Sequence, residues 1–265
     1  MANKVILVVS FGTSYKETRE KTIEALEKTV AERYNDWEVR RAFTSKIIIK
    51  KLKERDGIYI DYISEALQKL VDDGVKDVVV MPTHVMNGTE YDFVKYYTES
   101  FTDKFDSLRI STPLLTTEKD YDKVIDAINE AYISRFFNDS SNGTAIVFMG
   151  HGSEHFANPA YSQLQLKLWT MGYEHVYVTT VEGFPSFDDT MRFMAGYKYS
   201  KIILAPFMLV AGDHATNDMA SDDEESLKSR FISSGCDVRC ILEGLGEQKA
   251  FQELFIEHLD AVMKQ

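Results

Sequence analysis

Val5-Ile-Leu-Val-Val-Ser-Phe-Gly-Thr-Ser14 is answered 140 residues later by Ala145-Ile-Val-Phe-Met-Gly-His-Gly-Ser-Glu154, and the pair decides the fold. Each half of the match is a short apolar run that stops at a glycine, with Phe11 falling on His151 and Gly12 on Gly152. A second match pairs Val79-Val-Met-Pro-Thr-His-Val-Met-Asn-Gly-Thr-Glu90 with Ile203-Leu-Ala-Pro-Phe-Met-Leu-Val-Ala-Gly-Asp-His214, so that Pro82 meets Pro206, Gly88 meets Gly212 and Glu90 meets His214. A period this long is too great for a solenoid and marks a duplicated lobe.

Working outward, β-branched runs alternate with amphipathic stretches, the pattern of a parallel sheet with crossover helices. Strands are expected at 4–10, 37–42, 76–81, 107–111, 144–149, 175–180, 200–206 and 237–240. Helical spacing of apolar residues is clearest in 17–34 (Ile23, Leu26, Val30) and 121–137 (Val124, Ile125, Ile128). The polar turn formers Asn138 to Thr144 read as the linker. The expected fold class is therefore α/β, two similar Rossmann-like lobes at 1–140 and 141–265, each a four-stranded parallel sheet flanked by helices, facing each other across a cleft. The last helix, 247–264, is a candidate to pack back on the first lobe. Ligands of open parallel sheets bind beyond the carboxyl ends of the strands, where each repeated motif begins.

Composition excludes several classes. With 265 residues, 44% hydrophobic and 12% aromatic, the chain is globular and large enough to bury a sizeable core. Its 30 basic against 42 acidic residues give a net charge of −12, which repels nucleic acid and anionic lipid. No export signal is visible, and the longest apolar stretch, Ile202 to Ala211, is broken by Pro206 and is half of what a spanning helix needs. The expected location is the cytoplasm. Cys236 and Cys240 fit neither a redox pair nor a four-cysteine zinc site and read as reduced thiols.

Three segments carry chemistry. Met149-Gly-His-Gly-Ser153 places His151 between two small residues that let a ligand approach a strand end; locally, a histidine filling a turn explains it as well. Thr180-Val-Glu-Gly-Phe-Pro185 places Glu182 at the end of the sixth strand, where a plain surface carboxylate is the competing account. Gly212-Asp-His-Ala-Thr-Asn-Asp follows the most apolar strand. Asp213, Thr216 or Asn217 serve there as helix caps, and the nearby acids suit the helix dipole, but neither accounts for His214. Together His151, Glu182 and His214 end three strands of one half, a borderline nitrogen and oxygen donor set suited to Co²⁺, Ni²⁺, Fe²⁺ or Zn²⁺ rather than to Mg²⁺ or Ca²⁺. His151 and His155 lack the HExxH order of a metalloprotease, and there is neither a P-loop nor a dinucleotide fingerprint. His84, His175 and His258 have no evident partners. Residues 40–55 hold seven basic side chains and one acid, which read either as a solvated helix face or, through Arg40, Arg41, Lys46 and Lys50, as a contact for a polyanion. Gly12 and Gly152 are placed to offer backbone N–H groups to an anion.

The chain resembles the anaerobic sirohydrochlorin cobaltochelatase family of cobalamin biosynthesis, two-lobed relatives of ferrochelatase. The resemblance spans nearly the whole length and rests on Ser10-Phe-Gly-Thr-Ser14, Arg41-Ala-Phe-Thr-Ser45, His84-Val-Met-Asn-Gly-Thr-Glu-Tyr91, Met149-Gly-His-Gly152, Val181-Glu-Gly-Phe-Pro185 and the stretch from Pro206 to Asp223. It implies that His151, Glu182 and His214 hold the incoming metal, that His151 also accepts a pyrrole proton, and that Glu90 lines the same cleft from the first lobe. It implies substrate contacts at Ser10, Phe11, Gly12, Thr13, Arg41 and Gly152. The implied partners are sirohydrochlorin and a divalent metal, Co²⁺ first with Ni²⁺ or Fe²⁺ as alternatives, with no organic cofactor, no nucleic acid and no membrane. A homo-oligomer is among the states it allows. A non-catalytic tetrapyrrole or metal carrier and a two-lobed periplasmic-type binding protein are the readings from other classes.

Overall fold

A computed structural model describes residues 3–137 and 143–264. These residues contain eight strands: β1 (Lys4–Ser10), β2 (Glu38–Phe43), β3 (Asp77–Pro82), β4 (Ser107–Ile110), β5 (Thr144–Gly152), β6 (Val176–Glu182), β7 (Lys201–Pro206) and β8 (Asp237–Cys240). They form two four-stranded, wholly parallel sheets of the same order, β2-β1-β3-β4 and β6-β5-β7-β8. All eight expected strands are present. β5 and β6 run on past their expected ends because Gly152 pairs with Glu182, which carries His151 and Glu182 inside the ladder.

The chain divides into two compact units, residues 1–116 with 252–265, and residues 117–251. In the first, β1 is buried on both faces, as a central parallel strand must be. Val5, Leu7 and Val9 pack with Ile63, Leu67, Leu70, Val78, Val80 and Val94, while Ile6 and Val8, pointing to the other face, are equally buried. Helix Ile63–Asp72 shows its apolar face to this core, and Glu65 reaches back to the Tyr62 amide at its N-terminus. In the second unit Ala145, Val147 and Met149 of β5 pack with Tyr177, Ile202, Leu204, Met219 and Phe231.

The boundaries differ from those expected. The chain changes unit at 116/117, ahead of the helical stretch 118–136 rather than after it, and residues 138–142 of the expected linker lie outside the described residues. The reason is packing. Tyr132 buries its ring edge-on against Phe148 at 5.0 Å, and Lys167 holds both Glu118 and Asp122, all within the second unit. Helix Lys249–Met263 starts in the second unit through Phe251, whose ring meets Phe207, and from Gln252 on belongs to the first. There Asp260 bonds Arg33 and Tyr34, and Thr29 bonds Gln252 at 3.1 Å.

Candidate metal centre

The site is built on the carboxyl ends of β5, β6 and β7. Every residue of β5 is buried except His151, which stands 47% exposed. The glycines beside it answer to the protein's own packing more than to a ligand. A Cβ at Gly150 would lie 2.3 Å from the Tyr161 ring, and one at Gly152, whose φ is +77°, would lie 2.0 Å from the Glu182 carbonyl oxygen. The Gly152 amide, expected to point outward to an anion, instead faces the buried Tyr161 hydroxyl and, together with that of His151, bonds to it. Those bonds favour the ionised phenol, yet burial outweighs them and pushes it up to about 12.

His151 Nδ1 lies 3.0 Å from the Gly152 carbonyl oxygen and 4.0 Å from Glu182 Oε2. With its Nδ1 proton given to the carbonyl, the ring keeps its lone pair on Nε2. His214, just beyond β7, packs its ring edge-on against that of His151, with centroids 4.7 Å apart and planes at 89°. Its Nδ1 lies 2.7 Å from Asp218 Oδ2, one turn on. A carboxylate in this position fixes the tautomer and aim of an imidazole and raises its basicity as a ligand. Among the described residues neither Nε2 has a hydrogen-bond partner. In the sequence Asp218 reads only as an acid suited to a helix dipole; the signal for its contact with His214 is their spacing of four.

The helix expected after Gly212 is a single π turn, Ala215–Met219, with no side-chain cap; Thr216 instead returns its hydroxyl to the Gly212 carbonyl. Glu182 is 62% exposed and faces His151 across the β5–β6 ladder. Among the described residues no three His, Cys, Asp or Glu side chains close into a finished ligand set. The two imidazoles are together, and Glu182 is beside one of them.

In the first unit the expected substrate residues divide. Phe11, at the equivalent of His151, is 47% exposed. Ser10 and Thr13 are buried and internally bonded, Ser10 to the Thr83 hydroxyl at 2.9 Å and Thr13 to the Tyr15 amide at 3.2 Å. Gly12 has φ +101° and sits against the Phe43 ring. Arg41 lies mid-strand, opposite Val8, with its guanidinium on Glu27 (2.8 and 2.5 Å) and Glu24 (3.2 Å). This corrects its expected place in the anion site, since two carboxylates already neutralise it. Arg40 is likewise held by Glu38 and Asp73. Of the basic segment, Lys46, Lys50 and Lys53 line an open cavity of about 450 Å³ together with Glu54, Glu65, Tyr62 and Tyr97, and Lys50 pairs with Glu54 at 3.9 Å.

Two further polar groups stand out in this unit. Glu90, in the first turn of helix Thr89–Glu99, has an oxygen shut from solvent with no hydrogen-bond partner among the described residues. Both ring nitrogens of His84 are similarly closed in, and burial pushes that imidazole down to about 4. His84 is therefore neutral at ordinary pH.

A family model described as cobalt chelatase (CbiK) matches residues 4–264. A protein of Salmonella typhimurium named sirohydrochlorin cobaltochelatase is 40% identical over 97% of this chain and 95% of its own. One of Nitratidesulfovibrio vulgaris, named sirohydrochlorin cobaltochelatase CbiKC, is 31% identical over 99% and 92%. Among solved structures, SirB from Bacillus subtilis with Fe³⁺ superposes with TM-score 0.63 at 12% identity over 97% of this chain and 94% of that one, a likeness of fold.

Proposed function

Because this chain belongs to the cobalt chelatase family, we propose that it inserts Co²⁺ into sirohydrochlorin through His151, His214 and Glu182. The protein is an enzyme, a metal chelatase, and the metal is its substrate. The observation that carries the site assignment is the perpendicular His151–His214 pair, each ring with Nδ1 engaged and Nε2 without a hydrogen-bond partner among the described residues.

Insertion exchanges one M²⁺ for two pyrrole protons. A neutral imidazole serves both sides of that exchange, because Nε2 binds the metal first and accepts a proton once the metal has moved into the macrocycle. Asp218 stabilises the imidazolium that forms at His214, and Glu182 does so at His151. Removing a proton near a carboxylate costs less than doing so in its absence. We assign Glu90, with its unsatisfied oxygen, a proton-accepting part in the same reaction. Phe11 offers a flat apolar contact to the ring. Among the described helices none is long and apolar enough to cross a membrane; we place the reaction in the cytoplasm, where free thiols such as Cys236 and Cys240 are kept reduced.

The test is anaerobic metallation followed by absorbance. The full chain is expected to metallate more than one sirohydrochlorin per protein with Co²⁺, which separates an enzyme from a carrier. Competition with Ni²⁺ and Fe²⁺ measures the preference that a His₂Glu donor set does not itself impose. Full rates in both His151→Ala and His214→Ala would remove the site assignment.

A further inference from the structure

Asn158 precedes helix Pro159–Thr170 at the capping position, yet its side chain does not cap that helix. Asparagine there ordinarily accepts from an amide of the first turn. Here the residue is 9% exposed and its side chain is committed elsewhere. Its Oδ1 accepts from the Ser153 amide at 3.0 Å, and its Nδ2 donates to the Phe184 carbonyl at 2.8 Å. Ser153 is two residues beyond His151, and Phe184 is two beyond Glu182. One buried side chain therefore ties together the two loops that leave the metal site.

The surroundings are cut to fit it. Gly183 has φ +135°, and a Cβ there would come 2.6 Å from Asn158 Oδ1. On the other side Gly152 admits the Glu182 carbonyl where no side chain would. The backbones bearing His151 and Glu182 thus touch directly, and Asn158 spans them just beyond that contact. Truncating Asn158 to alanine would remove both bonds at once, and the Ser153 amide and the Phe184 carbonyl would be free to turn to water, releasing the two loops from each other.

We infer that Asn158 is a positioning residue of the metal site, setting the separation of His151 from Glu182 without touching the metal. This rests on the chelatase reading above. Partners behind the ligands of a metal site typically change metal affinity about 10- to 100-fold when removed.

The experiment titrates Co²⁺ alone into the full chain, read by its visible absorption, and measures KM for Co²⁺ and for sirohydrochlorin separately. Asn158→Ala is expected to weaken Co²⁺ binding and raise its KM by at least about tenfold, with the KM for sirohydrochlorin within about twofold of the parent value. Asn158→Asp keeps the acceptor for Ser153 but sets a carboxylate oxygen against the Phe184 carbonyl; it keeps the side chain's size and is expected to shift Co²⁺ in the same direction. Parent-like Co²⁺ affinity in either folded variant overturns the inference. So does loss of fold in both, which would make the residue structural only. His151→Ala in the same titration separates the two failures: if it binds Co²⁺ like the parent, the site itself is misassigned.

Discussion

The carboxyl ends of the two sheets are built alike and equipped differently. Both sheets have the same strand order, and a left-handed glycine stands at the end of β5 (Gly152) and two residues past the end of β1 (Gly12). The residue before that glycine is an exposed phenyl in the first unit and an exposed imidazole in the second. Where the second unit shows His214 held by Asp218, the first carries Glu90 with an oxygen shut away. A duplicated scaffold therefore supplies equivalent positions, and a few side chains distinguish the copy that carries the proposed metal site. Fold and chemistry are separable here.

The largest effect should come from making the second unit resemble the first. His151→Phe removes a ligand and a proton acceptor together, and Co²⁺ insertion is expected to fall by at least about a thousandfold. Adding Phe11→His to the His151→Phe chain should not restore Co²⁺ binding, because the position equivalent to His214 holds Glu90 rather than a second imidazole; a recovered Co²⁺ absorption band in the double variant would break the comparison.

Next come the paired glycines. Gly152→Ala places a methyl group on the Glu182 backbone and forces a left-handed alanine, and should lower stability by about 4 kcal/mol in a denaturant titration. Gly12→Ala drives its methyl group into the fully buried Phe43 ring from a left-handed backbone and should cost a comparable amount.

A third difference lies in the buried imidazole of the first unit. His84 stays neutral down to about pH 4, whereas in the unfolded chain it titrates near 6.5. Below pH 6.5 the unfolded state takes up a proton that the native state refuses. The contribution is whole above 6.5, falls by about 3 kcal/mol as pH drops toward 4, and changes no further below that. His84→Leu should flatten that part of the stability–pH curve. Asp218→Ala should give the smallest change, a loss of about tenfold in Co²⁺ affinity with the fold intact.

How much of this was legible depends on how local each cause is. Val5–Val9 announces a strand buried on both faces without reference to any other segment. The strand-end positions of His151, Glu182 and His214 follow from the β pattern, and the structure brings the two rings together. Arg41 misled because its charge is visible in the sequence while Glu24 and Glu27, which neutralise it, lie on a helix whose facing is set only by packing. The helical stretch 118–136 was given to the wrong unit because a polar segment after it looked like the joint, whereas Tyr132 packing on Phe148 decides its membership.

By itself the sequence determined the alternation of strand and helix, the duplication, and the residues that end each strand, because these depend on apolar periodicity and on glycine, properties of neighbouring residues. The tertiary structure alone decided which carboxylate orients which imidazole, that both glycines beside His151 are required by Tyr161 and Glu182, and that the Asn158 amide joins two loops. Those contacts link residues brought together by sheet pairing and helix packing, and their distances are set by backbone geometry that no single segment contains.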